Sequence, residues 1–178
     1  IWRVQRKDVL ARLAALTEAP AGAGELNAVW LRRGAGLPVV LLHGFSADLN
    51  NWRGLFAGAR PEFPVLALDL PGHGASPRAV PAGLDALCAQ VEDRLKAEGV
   101  EAAVLGGHSF GAAVAARIAA RGRVTVRGLW LVAPAGLGPQ IDHSFTEGIL
   151  RAESAESLRP WLEWLVEDPA LISEAFVK

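Results

Sequence analysis

Five consecutive residues, Gly107-His108-Ser109-Phe110-Gly111, carry the clearest chemical signal in this sequence: a serine with a glycine two positions away on either side. A serine hydroxyl is a weak nucleophile until its Oγ is exposed, a base takes its proton and N–H donors receive the oxyanion. The G-x-S-x-G spacing meets the first of these needs. Where a strand turns straight into a helix, the corner residue is strained and neighbouring chain crowds it, so both flanks must be nearly bare. The helix that follows offers free N–H groups and the positive end of its dipole to a developing negative charge. The bland alternative is a glycine-rich turn with an incidental serine. The flanks favour the chemical reading: Ala102 to Leu105 suits a buried strand, and Ala112 to Ala120 reads as a tightly packed helix.

Ser109 is thus the candidate nucleophile, and the Phe110 N–H beside it is the natural first oxyanion donor. A second donor is expected where an apolar strand ends at His43-Gly44-Phe45. There Gly44 lets the backbone turn inward, and the Phe45 N–H is the choice. His43, Gly44, Trp52 and Leu137 are expected to contribute to a substrate pocket. His43 should also stabilise the oxyanion loop from behind. No histidine here reads as the base. His108 flanks the nucleophile and should point away, His73 sits in a loop, and His143 reads as a surface residue. Asp69, at the end of a strand, could orient a loop. It precedes Ser109, whereas Asp142 and Asp168 follow Ser109 but do not follow a strand.

Several elements must position these groups. Strands are expected at 26–32, 39–42, 65–68, 102–105 and 126–133, and helices at 51–59, 84–98 (closed by Gly99) and 112–120. Apolar strands alternating with helices imply an α/β fold with a mostly parallel sheet covered on both faces. Residues 1–24 read as an N-terminal helix (9–17) and linker, 25–136 as the core, and 137–178 as a partial helical lid with pieces at 144–152, 155–166 and 169–177. A sheet lacking its last strands would leave an apolar edge, and the chain reads as stopping inside the lid.

The 178 residues are 51% apolar with a formal net charge of −1 from 18 basic and 19 acidic side chains, enough for one core and unlike a nucleic-acid or anionic-membrane partner. Cys88 is the single cysteine, so a disulfide framework and a Cys-based metal site are excluded, and a reducing, cytoplasmic setting is expected. No apolar run approaches the roughly 20 residues of a membrane-spanning helix. The chemistry requires no metal or other cofactor.

His43-Gly44-Phe45, the LDLPGHGAS run at 68–76 and GHSFG at 107–111 together resemble the α/β-hydrolase superfamily, over about residues 26 to 178. The resemblance sharpens at Asp48-Leu49-Asn50-Asn51-Trp52, at Pro134 to Pro139 and across the tryptophan-rich segment near 152–171. There it is similar to the hydrolase-type domain of the acetoin dehydrogenase E2 (dihydrolipoyl acetyltransferase) subunit. This implies a serine enzyme acting on a small acyl ester or thioester through an acyl-Ser109 intermediate, with dehydrogenase-complex subunits as possible partners. It also implies the chain order Ser, acid, His, with the acid and base expected beyond residue 178. A non-catalytic binding or scaffold module that keeps the elbow as a fold element is the competing reading. Carbon–carbon bond hydrolysis on the same scaffold is a third. A dehalogenase is disfavoured, because Ser109 stands where an aspartate nucleophile is expected.

Overall fold

A computed structural model of the chain describes residues 25–56, 61–138, 143–172 and 174. The expected helix 9–17 and its linker lie outside the described residues, as do the end of the expected 51–59 helix and the last part of the 169–177 piece.

Five strands form one sheet in the order β1-β3-β2-β4-β5: β1 (Ala28–Arg32), β2 (Val39–Leu42), β3 (Val65–Leu68), β4 (Ala102–His108) and β5 (Thr125–Val132). β2, β3, β4 and β5 pair in parallel, and β1 runs antiparallel to β3 with an irregularity between Trp30 and Arg32. α1 (Asn50–Phe56), α2 (Leu84–Ala97) and α3 (Phe110–Arg121) lie between the strands in sequence, as parallel pairing requires.

Alternation along the strands divides the core in two. Val40, Leu42, Leu66 and Leu68 face the side packed by α2 and α3, with Val91, Leu95, Val114 and Ile118. Leu41, Val65 and Ala67 face the other side, with Leu49 and Trp52. Each buried leucine or valine contributes about 1.5–3 kcal/mol relative to exposure, so strands buried on both faces must be apolar throughout, as β2 and β3 are.

β4 runs three residues further than its apolar stretch suggests, because Gly106 and Gly107 continue the ladder to β5 without side chains. β5 borders the described sheet, and its Leu129 and Trp130 are 44% and 42% exposed. α2 ends as expected, with Gly99 at φ 74° and the Val100 N–H donating to Leu95 O at 2.9 Å.

After β5 come α4 (Ser144–Arg151), α5 (Ala155–Glu163) and a single 3₁₀ turn, Pro169–Leu171; there is no strand among the described residues after Val132. α5 stops three residues earlier than expected. It opens on a Ser154–Ser157 capping box. Gly148 on α4 lies directly beneath the Trp161 ring of α5: a Cβ there would sit 2.1 Å from the indole.

Candidate active site

Ser109 stands between the last residue of β4 and the first of α3, at φ 51° and ψ −116°. For a residue with a Cβ this is a strained conformation, and local bonding holds it. The Ser109 N–H donates to Val132 O at 2.9 Å, while Ser109 O accepts from Ala112 and Ala135 N–H at 3.0 and 3.1 Å. The flanking glycines are required by contact as well as by turn geometry. A Cβ on Gly107 would lie 2.5 Å from Ala112 backbone, and one on Gly111 would lie 2.3 Å from Leu42 O and 2.4 Å from His43 O.

The loop after β2 passes against this corner. A Cβ on Gly44 would come within 2.8 Å of His108 Nδ1 and 3.3 Å of Ser109 Cβ, so only glycine lets the loop approach the serine this closely. Ser46, two residues on, has φ 56°, and Ala133, just past β5, has φ 42°. These two and Ser109 are the non-glycine residues with positive φ among those described. All three lie at the C-terminal ends of neighbouring parallel strands (β2, β4 and β5). Strain of this kind persists where surrounding structure enforces it, and it concentrates at functional sites.

Phe110 lies in the first turn of α3, where N–H groups have no intrahelical acceptor, and Phe45 lies in the Gly44 loop; both are half-buried. The structure therefore brings Ser109, Gly44, Phe45 and Phe110 to one corner.

The other expected pocket residues are placed differently. His43 is fully buried; its Nε2 accepts the Leu70 N–H at 2.9 Å, leaving Nδ1–H to bond Gly44 O at 2.8 Å. It supports the loop from beneath, as expected of it. Trp52 packs into the core on the α1 side of the sheet with Leu41 and Leu49, its ring 5.8 Å from Trp130. Leu137 is 78% exposed. On that side of β4, Gly106 leaves room for Leu41 and Trp130, which approach to within 2.7 and 3.1 Å of where its Cβ would be.

His108 is half-buried, and burial depresses its pKa below the ordinary imidazole value. His73 Nδ1 bonds Pro71 O at 2.9 Å, and its ring is 5.0 Å from that of His43.

Sequence reasoning saw Asp69 only as a possible loop orienter. In the structure it is 2% exposed and collects N–H donors from three segments: Leu49 on Oδ1 (2.7 Å), and Ala75 and the Asn27 side chain on Oδ2 (both 2.8 Å). Asn27 and Ser76, whose hydroxyl donates to Asp69 O at 2.6 Å and accepts the Asn27 N–H at 2.8 Å, have no signal in the sequence. The hint available was the glycine at 74, where a Cβ would overlap the Asp69 carboxylate at 2.1 Å. Among the described residues no three His, Cys, Asp or Glu side chains converge as metal ligands would, and no helix is long and apolar enough to cross a membrane.

Comparison with known proteins agrees with this fold. The α/β hydrolase fold family model matches residues 38–177. The chain is 39% identical over 152 residues to the dihydrolipoyllysine-residue acetyltransferase component of the acetoin cleaving system of Pseudomonas putida, covering 84% of this chain and 41% of that protein. It is 32% identical over 152 residues to 2-succinyl-6-hydroxy-2,4-cyclohexadiene-1-carboxylate synthase of Serratia proteamaculans, covering 79% of this chain and 55% of the relative. The chain thus spans about half or less of these relatives' lengths. Among solved structures, the meta-cleavage product hydrolase CumD of Pseudomonas fluorescens superposes with a TM-score of 0.74 at 23% identity, over 85% of this chain and 58% of that one, a likeness of fold. The chain belongs to the α/β hydrolase fold family.

Proposed function

We propose that the chain carries the nucleophile and oxyanion hole of a serine enzyme that acts on a small acyl ester or thioester. The observation that carries this reading is the strained Ser109 corner, against which the Gly44 loop can press only because position 44 lacks a Cβ. Ser109 Oγ attacks the carbonyl carbon and gives up its proton to a base. The carbonyl electron pair moves onto oxygen, where the Phe45 and Phe110 N–H groups receive it. Collapse expels the alcohol or thiol, taking up a proton, and leaves acyl-Ser109; water or a second thiol then accepts the acyl group. On an elbow of this kind the base and its orienting acid follow the nucleophile in the order Ser, acid, His.

The likeness to the acetoin-system acetyltransferase component supports an acetyl group as the acyl unit, a thiol as acceptor and dehydrogenase-complex subunits as partners. Residues 25–136 serve as the core in this reading, and 137–178 as part of a lid. A cytoplasmic setting fits the single, buried, unpaired thiol of Cys88.

The test is fluorophosphonate labelling of the full-length protein, followed by intact mass and peptide mapping. A single adduct on Ser109, absent in Ser109→Ala, supports the proposal. A folded protein without an adduct contradicts it and favours a binding or scaffold module.

A further inference from the structure

The segments that meet behind the Gly44 loop are joined by a single carboxylate. Leu42 and Leu68 are register partners at the ends of β2 and β3, so His43 and Asp69, the next residues, leave neighbouring parallel strands at the same level. Each accepts a backbone N–H from the loop that follows the other's strand. Leu70 N–H donates to His43 Nε2 at 2.9 Å, and Leu49 N–H donates to Asp69 Oδ1 at 2.7 Å. The loop from residue 44 to 48 is therefore tied at both ends to residues 69 and 70. Within it lie the strained Ser46 and the Phe45 N–H, and the Ala47 N–H closes onto Gly44 O at 3.3 Å.

Asp69 is buried, and its two oxygens are met by N–H groups of Leu49, Ala75 and Asn27. A buried carboxylate is costly unless such donors satisfy it, so the three segments are held in register by the need to serve one anion. A purely architectural tie would not need to end on the loop that carries a reacting group. This one does.

We infer that Asp69 is a positioning residue for the oxyanion hole, its Oδ1 bond to Leu49 N–H fixing the loop that presents the Phe45 N–H to substrate. This rests on the serine-enzyme reading. Donor placement matters steeply: an error of about 1 Å costs on the order of a hundredfold in rate.

Asp69→Asn isolates the link. Two donors, Ala75 N–H and Asn27 Nδ2, converge on Oδ2, so the single amide oxygen is drawn there and the NH₂ is turned against Leu49 N–H. Asn27→Ala removes one donor from Oδ2 and leaves the Leu49 bond intact. Labelling of Ser109 by a fluorophosphonate, resolved into kinact and KI, is read beside backbone amide exchange over residues 43–50 and 107–113. Asp69→Asn is expected to lower kinact about tenfold or more with KI within about twofold, while Asn27→Ala stays within about threefold of the parent protein. Exchange should quicken over 43–50 in Asp69→Asn and stay unchanged over 107–113.

The paired change N27D/D69N supplies a carboxylate at position 27 for the amide NH₂ and favours return of the amide oxygen to Leu49. It leaves the Ala75 N–H as the one unmet donor, so recovery of kinact is expected to be partial. It serves as the test variant if Asp69→Asn does not fold. Across the set, kinact must follow protection of 43–50. If it follows global stability instead, or if exchange over 43–50 is the same in every variant, the inference is overturned. A parent protein that takes no label defeats the serine-enzyme reading separately, and the loop assignment then stands or falls on the exchange data.

Discussion

The Ser109 N–H donates to Val132 O at 2.9 Å, which ties the nucleophile candidate to the end of the neighbouring strand. The same corner receives the Ala135 N–H on Ser109 O at 3.1 Å, so both main-chain polar groups of a strained residue are held by the end of β5 and the segment just after it. Ala133, between those two contacts, is itself strained at φ 42°. The serine's conformation is thus enforced by tertiary hydrogen bonding as well as by its own turn.

Crowding at the elbow gives a sharp contrast between glycines. Gly111→Ala drives a Cβ to 2.3 Å from Leu42 O and 2.4 Å from His43 O, neither of which can move without breaking β2 or the adjacent loop. It should cost about 3 kcal/mol or more in urea unfolding. Gly122→Ala, at φ 69° with nothing nearby, should cost about 1 kcal/mol. Equal costs would contradict the crowding.

This contrast also marks what the sequence could reveal. Gly107, Ser109 and Gly111 are legible because a tight strand–helix corner imposes a fixed spacing over five residues. β2 and β3 are legible because burial on both faces demands four apolar residues in a row. The Asp69 tie was not legible, since it joins Asn27, Leu49 and Ala75 across separations that follow no period. The core packing of Trp52 was not legible either, since its ring partner Trp130 stands far along the chain.

Glu92 anchors α2 to α3 from a buried position. Its side chain is 2% exposed and meets Arg121 at 3.0 Å and Arg123 at 2.9 Å. Glu92→Ala removes the buried carboxylate from between Arg121 and Arg123, leaving Arg121 only its 3.1 Å pair with the surface Asp85, and should cost about 2 kcal/mol by chemical denaturation. A loss below about 1 kcal/mol would show that the pair is solvated in practice.

Asp85, on the same interface but at the surface, supplies a pH signature. The hydrogen bond from Arg117, aided by Arg121, lowers its pKa from 3.8 to about 2. Since the folded value lies below the unfolded one, any stabilisation from this carboxylate is present above pH 3.8 and is lost as pH falls through about 2. An NMR titration should place the Asp85 midpoint near 2 and show it rising in Arg117→Ala. An unchanged midpoint in that variant would remove Arg117 as the main cause.

Cys88 is fully buried, and burial pushes its thiol from 9.0 up to about 11. At pH 8 a thiol-specific reagent should react at least about a hundredfold faster with the unfolded chain than with the native protein. Comparable rates would mean that α2 opens readily from the core.

The central claim is that Ser109 becomes covalently acylated. The most direct measurement is to mix the full-length protein with an isotopically labelled acetyl ester or thioester, quench in acid within milliseconds to seconds, and map the label by peptide mass. The account predicts the acetyl group on the peptide containing Ser109, and none in Ser109→Ala. Substrate turnover with no label on Ser109, or label retained in Ser109→Ala, would contradict it.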